Sequence, residues 1–230
     1  MEELREEGFN GIAMTPSEDQ LLKARINQYS EEYGIPVVTF NADLEDTKRL
    51  CFVGQDTFQS GRAAAGLMNE MTGGKGQVVI ISGQVANPGL ISRQKGFTTE
   101  IKDSFPGLEV VDIRYSYDDE WVASKIVEEL LEIYPELTGI YITGHGVKGV
   151  CQTLKKLEKN SSIHVIANDF LEENKKWLQD GTINFLIGQD AAVQGHSPVM
   201  ILFQLLFDSK KPEKEFQYTD IVIRTKYNMS

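Results

Sequence analysis

Val53-Gly54-Gln55-Asp56, with Gly61 five residues after the aspartate, and Ile187-Gly188-Gln189-Asp190, with Gly195 five residues after its own, are one phrase written twice. In each copy a β-branched apolar run leads in and a helical pattern leads out. Two strand-to-helix switches with the same chemistry predict two similar lobes, with the chain crossing between them at each copy. A cleft between such lobes is where a small ligand sits.

Working outward, the pattern alternates strand and helix almost throughout. Short β-branched runs predict strands at 11–14, 36–40, 50–54, 77–82, 109–114, 139–143, 163–167 and 183–188. Helical stretches are predicted at about 2–7, 18–33, 57–72, 90–104, 119–134, 147–159, 171–180 and 191–208. This βαβα order predicts an α/β fold, with parallel sheets covered by helices on both faces. A doubly wound lobe normally begins with a strand, but here the chain opens on a helical pattern. The first strand is therefore expected to be missing, and the runs at 11–14 and 36–40 to lose a neighbour that they share.

The 230 residues are 41% hydrophobic and 25% charged, an ordinary globular composition with room for one large domain or two lobes. The net charge of −11 lacks the basic footprint that phosphate neutralisation requires, so nucleic-acid binding by this chain alone is not expected. The acidic start shows no signal-peptide pattern, and no apolar run reaches membrane-spanning length. Cys51 and Cys151 are too few for a disulfide framework and read as reduced intracellular thiols. The helix 199–207 (VMILFQLLF) is apolar around most of its circumference, which suits a buried core helix at least as well as a dimer seam.

Gly144-His-Gly146-Val-Lys-Gly149 follows a predicted strand and opens a helix, and Asp169 lies twenty residues beyond it. Those are the spacings of a dinucleotide fingerprint, which would make the chain an NAD-dependent oxidoreductase. The same spacing arises in any glycine-bearing turn, and the motif stands in a late βαβ unit, so the turn is the preferred reading. No HExxH or GxSxG pattern exists, and His164 lies within a strand. The pairs Asp118-Asp119, Glu128-Glu129 and Glu172-Glu173 read as helix-dipole and solvation charges, leaving no catalytic group and no metal site.

What remains is a set of polar residues at the carboxyl ends of strands, where open α/β sheets bind ligands. It comprises Asn41 and Asp43, Asn87 and Arg93, Tyr117, His145, Asn168 and Asp169, and Gln189. Acids, amides and an arginine can each hold two hydroxyls, and an aromatic can cover a sugar face. Taken singly, each has a local role available: Asp169 as the cap of the helix from 171, Asn41 as a turn former.

The ordered set Gly34-Ile-Pro-Val-Val-Thr-Phe-Asn41, Phe52-Val-Gly-Gln-Asp56 with Gly61-Arg62, Arg93-Gln-Lys-Gly-Phe97, Pro135-Glu-Leu-Thr-Gly-Ile-Tyr141, Val165-Ile-Ala-Asn-Asp169 and Ile187-Gly-Gln-Asp190 with Gln194-Gly195 carries a resemblance. From about residue 8 to its end the chain resembles the effector-binding domain of LacI-type transcription regulators and the periplasmic sugar-binding proteins of the ribose-binding kind. The resemblance implies two Rossmann-like lobes joined by three crossovers, at 1–54 plus 190–221 and at 55–189 plus 222–230. It implies that Arg93, Asp169, Gln189 and Tyr117 contact a sugar. The family often has Asp-Arg where this chain has Asn41-Ala42, and Asn-Asp where it has Gly144-His145. The leading expectation is the sugar- or polyol-sensing domain of a cytoplasmic repressor, a homodimer that needs no cofactor and would reach DNA only through an absent helix-turn-helix headpiece. The alternative is an extracytoplasmic sugar-binding protein of an ABC transporter. The oxidoreductase stands third.

Overall fold

The computed structural model describes residues 6–17 and 19–229. All but the end of the helix predicted at about 2–7 lies outside the described residues. The strands are β1 (Ile12–Met14), β2 (Val37–Phe40), β3 (Cys51–Gln55), β4 (Gly76–Ser82), β5 (Leu108–Tyr115), β6 (Leu137–Ile142), β7 (His164–Asn168), β8 (Phe185–Gly188), β9 (Phe216–Thr219) and β10 (Val222–Arg224). The helices are α1 (Gln20–Glu31), α2 (Thr57–Thr72), α3 (Pro88–Ser104), α4 (Glu120–Ile133), α5 (Val147–Lys156), α6 (Glu172–Gln179) and α7 (Ala191–Asp208). The fold is α/β with two sheets, as the alternation of patterns predicts.

The chain forms two compact units. Unit 1 comprises Met1–Asp56 and Gln189–Asp220, and unit 2 comprises Thr57–Gly188 and Ile221–Ser230. The sheet of unit 2 has six strands in the order β10-β8-β7-β6-β4-β5, all parallel except that β10 pairs antiparallel with β8. Its strands read as continuous apolar runs because helices bury both faces. Ala64, Met68, Phe97 and Ile101 of α2 and α3 fill one face. Ala123, Val127, Leu130, Val150, Leu154 and Leu178 of α4, α5 and α6 fill the other.

Unit 1 has four parallel strands, β1-β2-β3-β9. Ile26 and Tyr29 of α1 pack on one face, and Leu202 of α7 packs on the other. Among the described residues no strand lies between the runs at 11–14 and 36–40, but the expectation that the lost neighbour leaves their facing ladder groups open is corrected. β1 and β2 pair directly, Ile12 opposite Val37 and Met14 opposite Thr39. Among the described residues the edge strands of this sheet are β1 and β9.

The repeated phrase has a repeated geometry. After β2 the chain turns at Asn41 with φ 63°, and after β7 it turns at Asp169 with φ 71°. Asn41 N–H donates to the Val53 carbonyl at 3.1 Å, and Asp169 N–H to the Ile187 carbonyl at 2.9 Å. Each left-handed residue is thus tied to the residue that opens its copy of the phrase. Asparagine and aspartate are among the few non-glycine residues that tolerate this conformation. Gly54 and Gly188 each lie under an aromatic ring, Phe52 and Phe170, where a Cβ has no room.

Candidate functional site

The carboxyl edge of the unit 2 sheet is built around Arg93. Its position is set by the crossing of α2 and α3. A Cβ on Gly61 would collide with the Arg93 carbonyl, and one on Gly96 with the Phe58 carbonyl, so the two helix backbones touch. This contact leaves the Arg93 side chain 5% exposed. Its Nη1 donates to the Thr143 carbonyl at the end of β6, 3.0 Å away. Its Nη2 stands 4.0 Å from Asp169 Oδ1 at the end of β7. The Asp169 side chain is 36% exposed, so it extends this buried positive group toward solvent.

Asp169 is held from below. Asn174 Nδ2 donates to the carbonyls of Asn168 and Asp169, at 3.2 and 3.0 Å. The buried Asn168 amide donates to the Tyr141 hydroxyl at 3.1 Å and to the Ile142 carbonyl at 2.9 Å. Tyr141 is fully buried and stacks on Phe97, centroids 4.7 Å apart. Burial pushes its phenol up from the ordinary value, against the pull of nearby Arg93. The helix-cap role open to Asp169 is not realised: the residue capping α6 is Leu171, with no side-chain bond.

A second polar group lies at the ends of β4, β5 and β6. Gln84 Nε2 donates to Asp118 Oδ2 at 2.6 Å, and His145 Nδ1 stands 3.5 Å from Asp118 Oδ1. Thr143 Oγ1 donates to Ser82 Oγ at 3.0 Å. Asp119 does cap α4, accepting from Trp121 and Val122 N–H. Its neighbour Asp118 does not fit the dipole reading and faces His145. Tyr117 is largely exposed, with φ 55°. Asn87 caps α3 by accepting from Leu90 N–H at 3.1 Å.

The structure thus brings Arg93 and Asp169 together, and His145 follows β6 on the same edge, against Asp118. Asn41 and Gln189 belong to unit 1, where Gln189 Oε1 accepts from Gln194 Nε2 at 3.0 Å. Asp43 leaves the candidate set. Together with Glu215 it holds Arg49, whose side chain is 1% exposed, and it also accepts from Thr39. Burial pulls the Arg49 pKa down, but the bonds to Asp43 and Glu215 outweigh it, and the guanidinium ends above its usual range. Unit 1 also carries a surface cavity of about 440 Å³ lined by residues 47–50 and 211–215. It lies where β3 and β9 begin, the wrong end of a parallel sheet for a ligand.

The glycine fingerprint is spoken for. Gly146 adopts φ 97° at the start of α5, and Gly149 packs against the Glu120 carbonyl. Glu120 Oε2 accepts from Gly149 N–H at 2.6 Å, so a carboxylate already occupies the helix terminus that a pyrophosphate would need. No group of three or more metal-ligating side chains occurs among the described residues.

Two α/β units with largely parallel sheets define the fold class. The chain belongs to the periplasmic binding protein domain family, whose model matches residues 1–211. It is 25% identical over 211 residues to a xylitol-binding protein of Mycolicibacterium smegmatis, a match spanning 85% of this chain and 59% of that protein. It is 23% identical over 241 residues to the D-allose-binding periplasmic protein of Escherichia coli, spanning 97% of this chain and 76% of that one. Among solved structures, a sugar-binding protein of a sugar ABC transporter from Bacillus halodurans superposes with a TM-score of 0.93 at 25% identity, over 99% of this chain and 81% of its own. A solute-binding protein of an ABC transporter from Burkholderia graminis, in complex with D-arabinose, gives 0.89 at 28% identity, over 100% of this chain and 80% of its own.

These relatives overturn the repressor reading. One is named a periplasmic protein and the two solved structures are binding proteins of ABC transporters, so the expectations of transcription regulation, a LacI-type role and a cytoplasmic location fall with it. The quoted motifs build strands, turns and helix starts of a fold that sensing and transport proteins share, so they could not choose between the two. The cysteines could not choose either: Cys51 and Cys151 are free and buried, and shielded thiols carry no mark of a compartment. The expectation of a non-enzyme agrees with the relatives, which are named for binding a sugar or a sugar alcohol.

Proposed function

We propose that this chain is an extracytoplasmic sugar-binding protein that delivers a small neutral sugar or sugar alcohol to an ABC-type transporter. The carrying observation is the buried Arg93 held 4.0 Å from a half-exposed Asp169 at the carboxyl edge of the unit 2 sheet. A guanidinium offers a planar fork of donors and a carboxylate offers paired acceptors, so together they grip vicinal hydroxyls. No charge on the ligand is needed. His145, Asn87 and Tyr117 on unit 2, and Asn41 and Gln189 on unit 1, are the further candidates for contact. The relatives named for xylitol and D-allose, and the one holding D-arabinose, support this ligand class.

Calorimetric titration of the purified chain with xylitol, D-allose and D-arabinose tests the reading, with NAD as a control for the fingerprint. A saturable response to a sugar or polyol and none to NAD is expected. Arg93→Ala should weaken that binding at least about tenfold, since charge-assisted hydrogen bonds contribute roughly 1.5–3 kcal/mol and about 1.4 kcal/mol is a factor of ten. Unchanged affinity in Arg93→Ala would remove Arg93 from the site. Binding of NAD but of no sugar would overturn the whole reading.

A further inference from the structure

Three loops of unit 2 meet where β4, β5 and β6 end, and they close around Asp118. Tyr117 and Asp118 are both left-handed, with φ 55° and 62°. Aspartate tolerates this conformation and tyrosine seldom adopts it, so two in succession mark a turn held by its surroundings. Ser116 holds it: its N–H donates to the Ser82 carbonyl at 2.8 Å, and its hydroxyl lies 3.3 Å from the carbonyls of Ser82 and His145. The turn drives the Asp118 carboxylate against Gly83, where a Cβ would collide with Oδ1. Gln84 Nε2 donates to Oδ2. Oδ1 is sealed from solvent and accepts no hydrogen bond. His145 Nδ1 stands 3.5 Å from it, on a side chain that is 65% exposed and has room to turn.

We propose that Asp118 is a positioning residue: it holds His145 as the Nδ1–H tautomer, so that Nε2 meets a sugar hydroxyl as a bare acceptor. This deepens the sugar-binding reading and rests on it. A buried carboxylate oxygen without a donor is costly, and the Nδ1–H of His145 is placed to relieve it. In a neutral imidazole one nitrogen donates and the other accepts, so the bond at Nδ1 decides the chemistry at Nε2. The bond from Gln84 to Oδ2 fixes which oxygen faces the ring. Thr143, whose carbonyl accepts from Arg93, lies two residues before His145, so both side chains are referred to the end of β6. The edge then offers donors from Arg93 and acceptors from Asp169 and His145. That set suits hydroxyls, which both donate and accept, and disfavours at His145 an ether oxygen that can only accept.

Nitrogen-15 NMR of the histidine rings in alkaline buffer tests the positioning without any ligand. The chain has three histidines, and the signals of His145 are those lost in His145→Ala. The Nδ1–H tautomer should predominate at His145 and give way to Nε2–H in Asp118→Gly, a change that removes the carboxylate and leaves a residue at ease with a left-handed φ. Calorimetry with whichever of xylitol, D-allose and D-arabinose binds the wild-type chain tests the consequence. Asp118→Gly and His145→Ala should each weaken binding roughly two- to tenfold, the range of one neutral hydrogen bond. The double variant should lose no more than His145→Ala alone, because Asp118 acts through His145. A wild-type His145 in the Nε2–H form, or a tautomer unmoved by Asp118→Gly, would overturn the proposal. So would losses that multiply in the double variant. If none of the three sugars binds, the sugar-binding reading fails, and the positioning of His145 still stands or falls on the ring spectrum.

Discussion

Each unit contains a buried arginine, and the two are used in opposite ways. Arg49 of unit 1 is enclosed by Asp43 and Glu215, with its guanidinium 5.2 Å from the Phe216 ring centroid. Arg93 of unit 2 donates to a backbone carbonyl and holds its carboxylate at 4.0 Å, at the ligand end of the sheet. A guanidinium tightly paired on several sides is a fixture of the fold. One that reaches a strand end beside a half-exposed acid is a candidate for binding. Charge and burial alone do not separate the two; distance to the acid and position along the strand do.

The contrast is broken most directly by Arg49→Ala. Removing one partner of a buried ion pair typically costs about 3–5 kcal/mol, because the other charge is left desolvated. Asp43 would keep the Thr39 hydroxyl and some access to water, so a loss near the lower bound, ~3 kcal/mol, is expected in urea unfolding. Arg93→Ala should cost less stability and more sugar affinity. Equal stability losses with no difference in affinity would show that the two arginines do the same job.

The two copies of the repeated phrase differ in what covers the following helix. Gly61 of α2 lies against the Arg93 backbone, while nothing stands within 4 Å of a Cβ placed on Gly195 of α7. Gly61→Ala should therefore destabilise unit 2 by about 1–3 kcal/mol through overpacking, since a backbone carbonyl cannot swing aside. Gly195→Ala should stabilise its helix by up to ~1 kcal/mol, the ordinary gain of alanine over glycine. Thermal melts of the two variants should move in opposite directions. A drop of similar size in both would show that Gly195 is packed in solution as Gly61 is.

The sequence made the alternation of elements legible because each strand here is a short apolar run bounded by turn residues. The eight strands predicted by pattern coincide with β1 to β8 to within about two residues at each end, as period reasoning allows. The pattern did not mark β9 and β10. Phe216–Thr219 is half-buried and mixed in polarity, and the apolar run at Val222–Arg224 is cut short between Asp220 and Arg224. The repeat pointed to the left-handed turns only through Asn41 and Asp169, whose residue types permit them. At the candidate site, the meeting of Arg93 and Asp169 was legible from their place after strands. Tyr141 and Thr143 were not, because a tyrosine inside a β-branched run reads as core, and only the fold shows its hydroxyl under Asn168. Asp43 was misread because the ring closed by Arg49 and Glu215 spans more than 160 residues of sequence and leaves no local trace.

The smallest expected effect concerns His164, the first residue of β7. In unit 1 the residue just before the matching strand is Pro36, which cannot titrate. Burial lowers the pKa of His164 below the ordinary 6.5. In the unfolded chain the imidazole takes up its proton as pH falls through about 6.5, while in the folded chain it resists until lower pH. The unfolded state therefore binds more protons in that window, and stability rises with pH there. The contribution is complete above about 6.5 and is lost as pH drops through that value toward the lowered folded one. His164→Gln should flatten the slope of unfolding free energy between about pH 7.5 and 5.5, leaving the plateau at the upper end nearly unchanged. A slope identical in wild type and variant would show that His164 is as well hydrated in the folded chain as in the unfolded one.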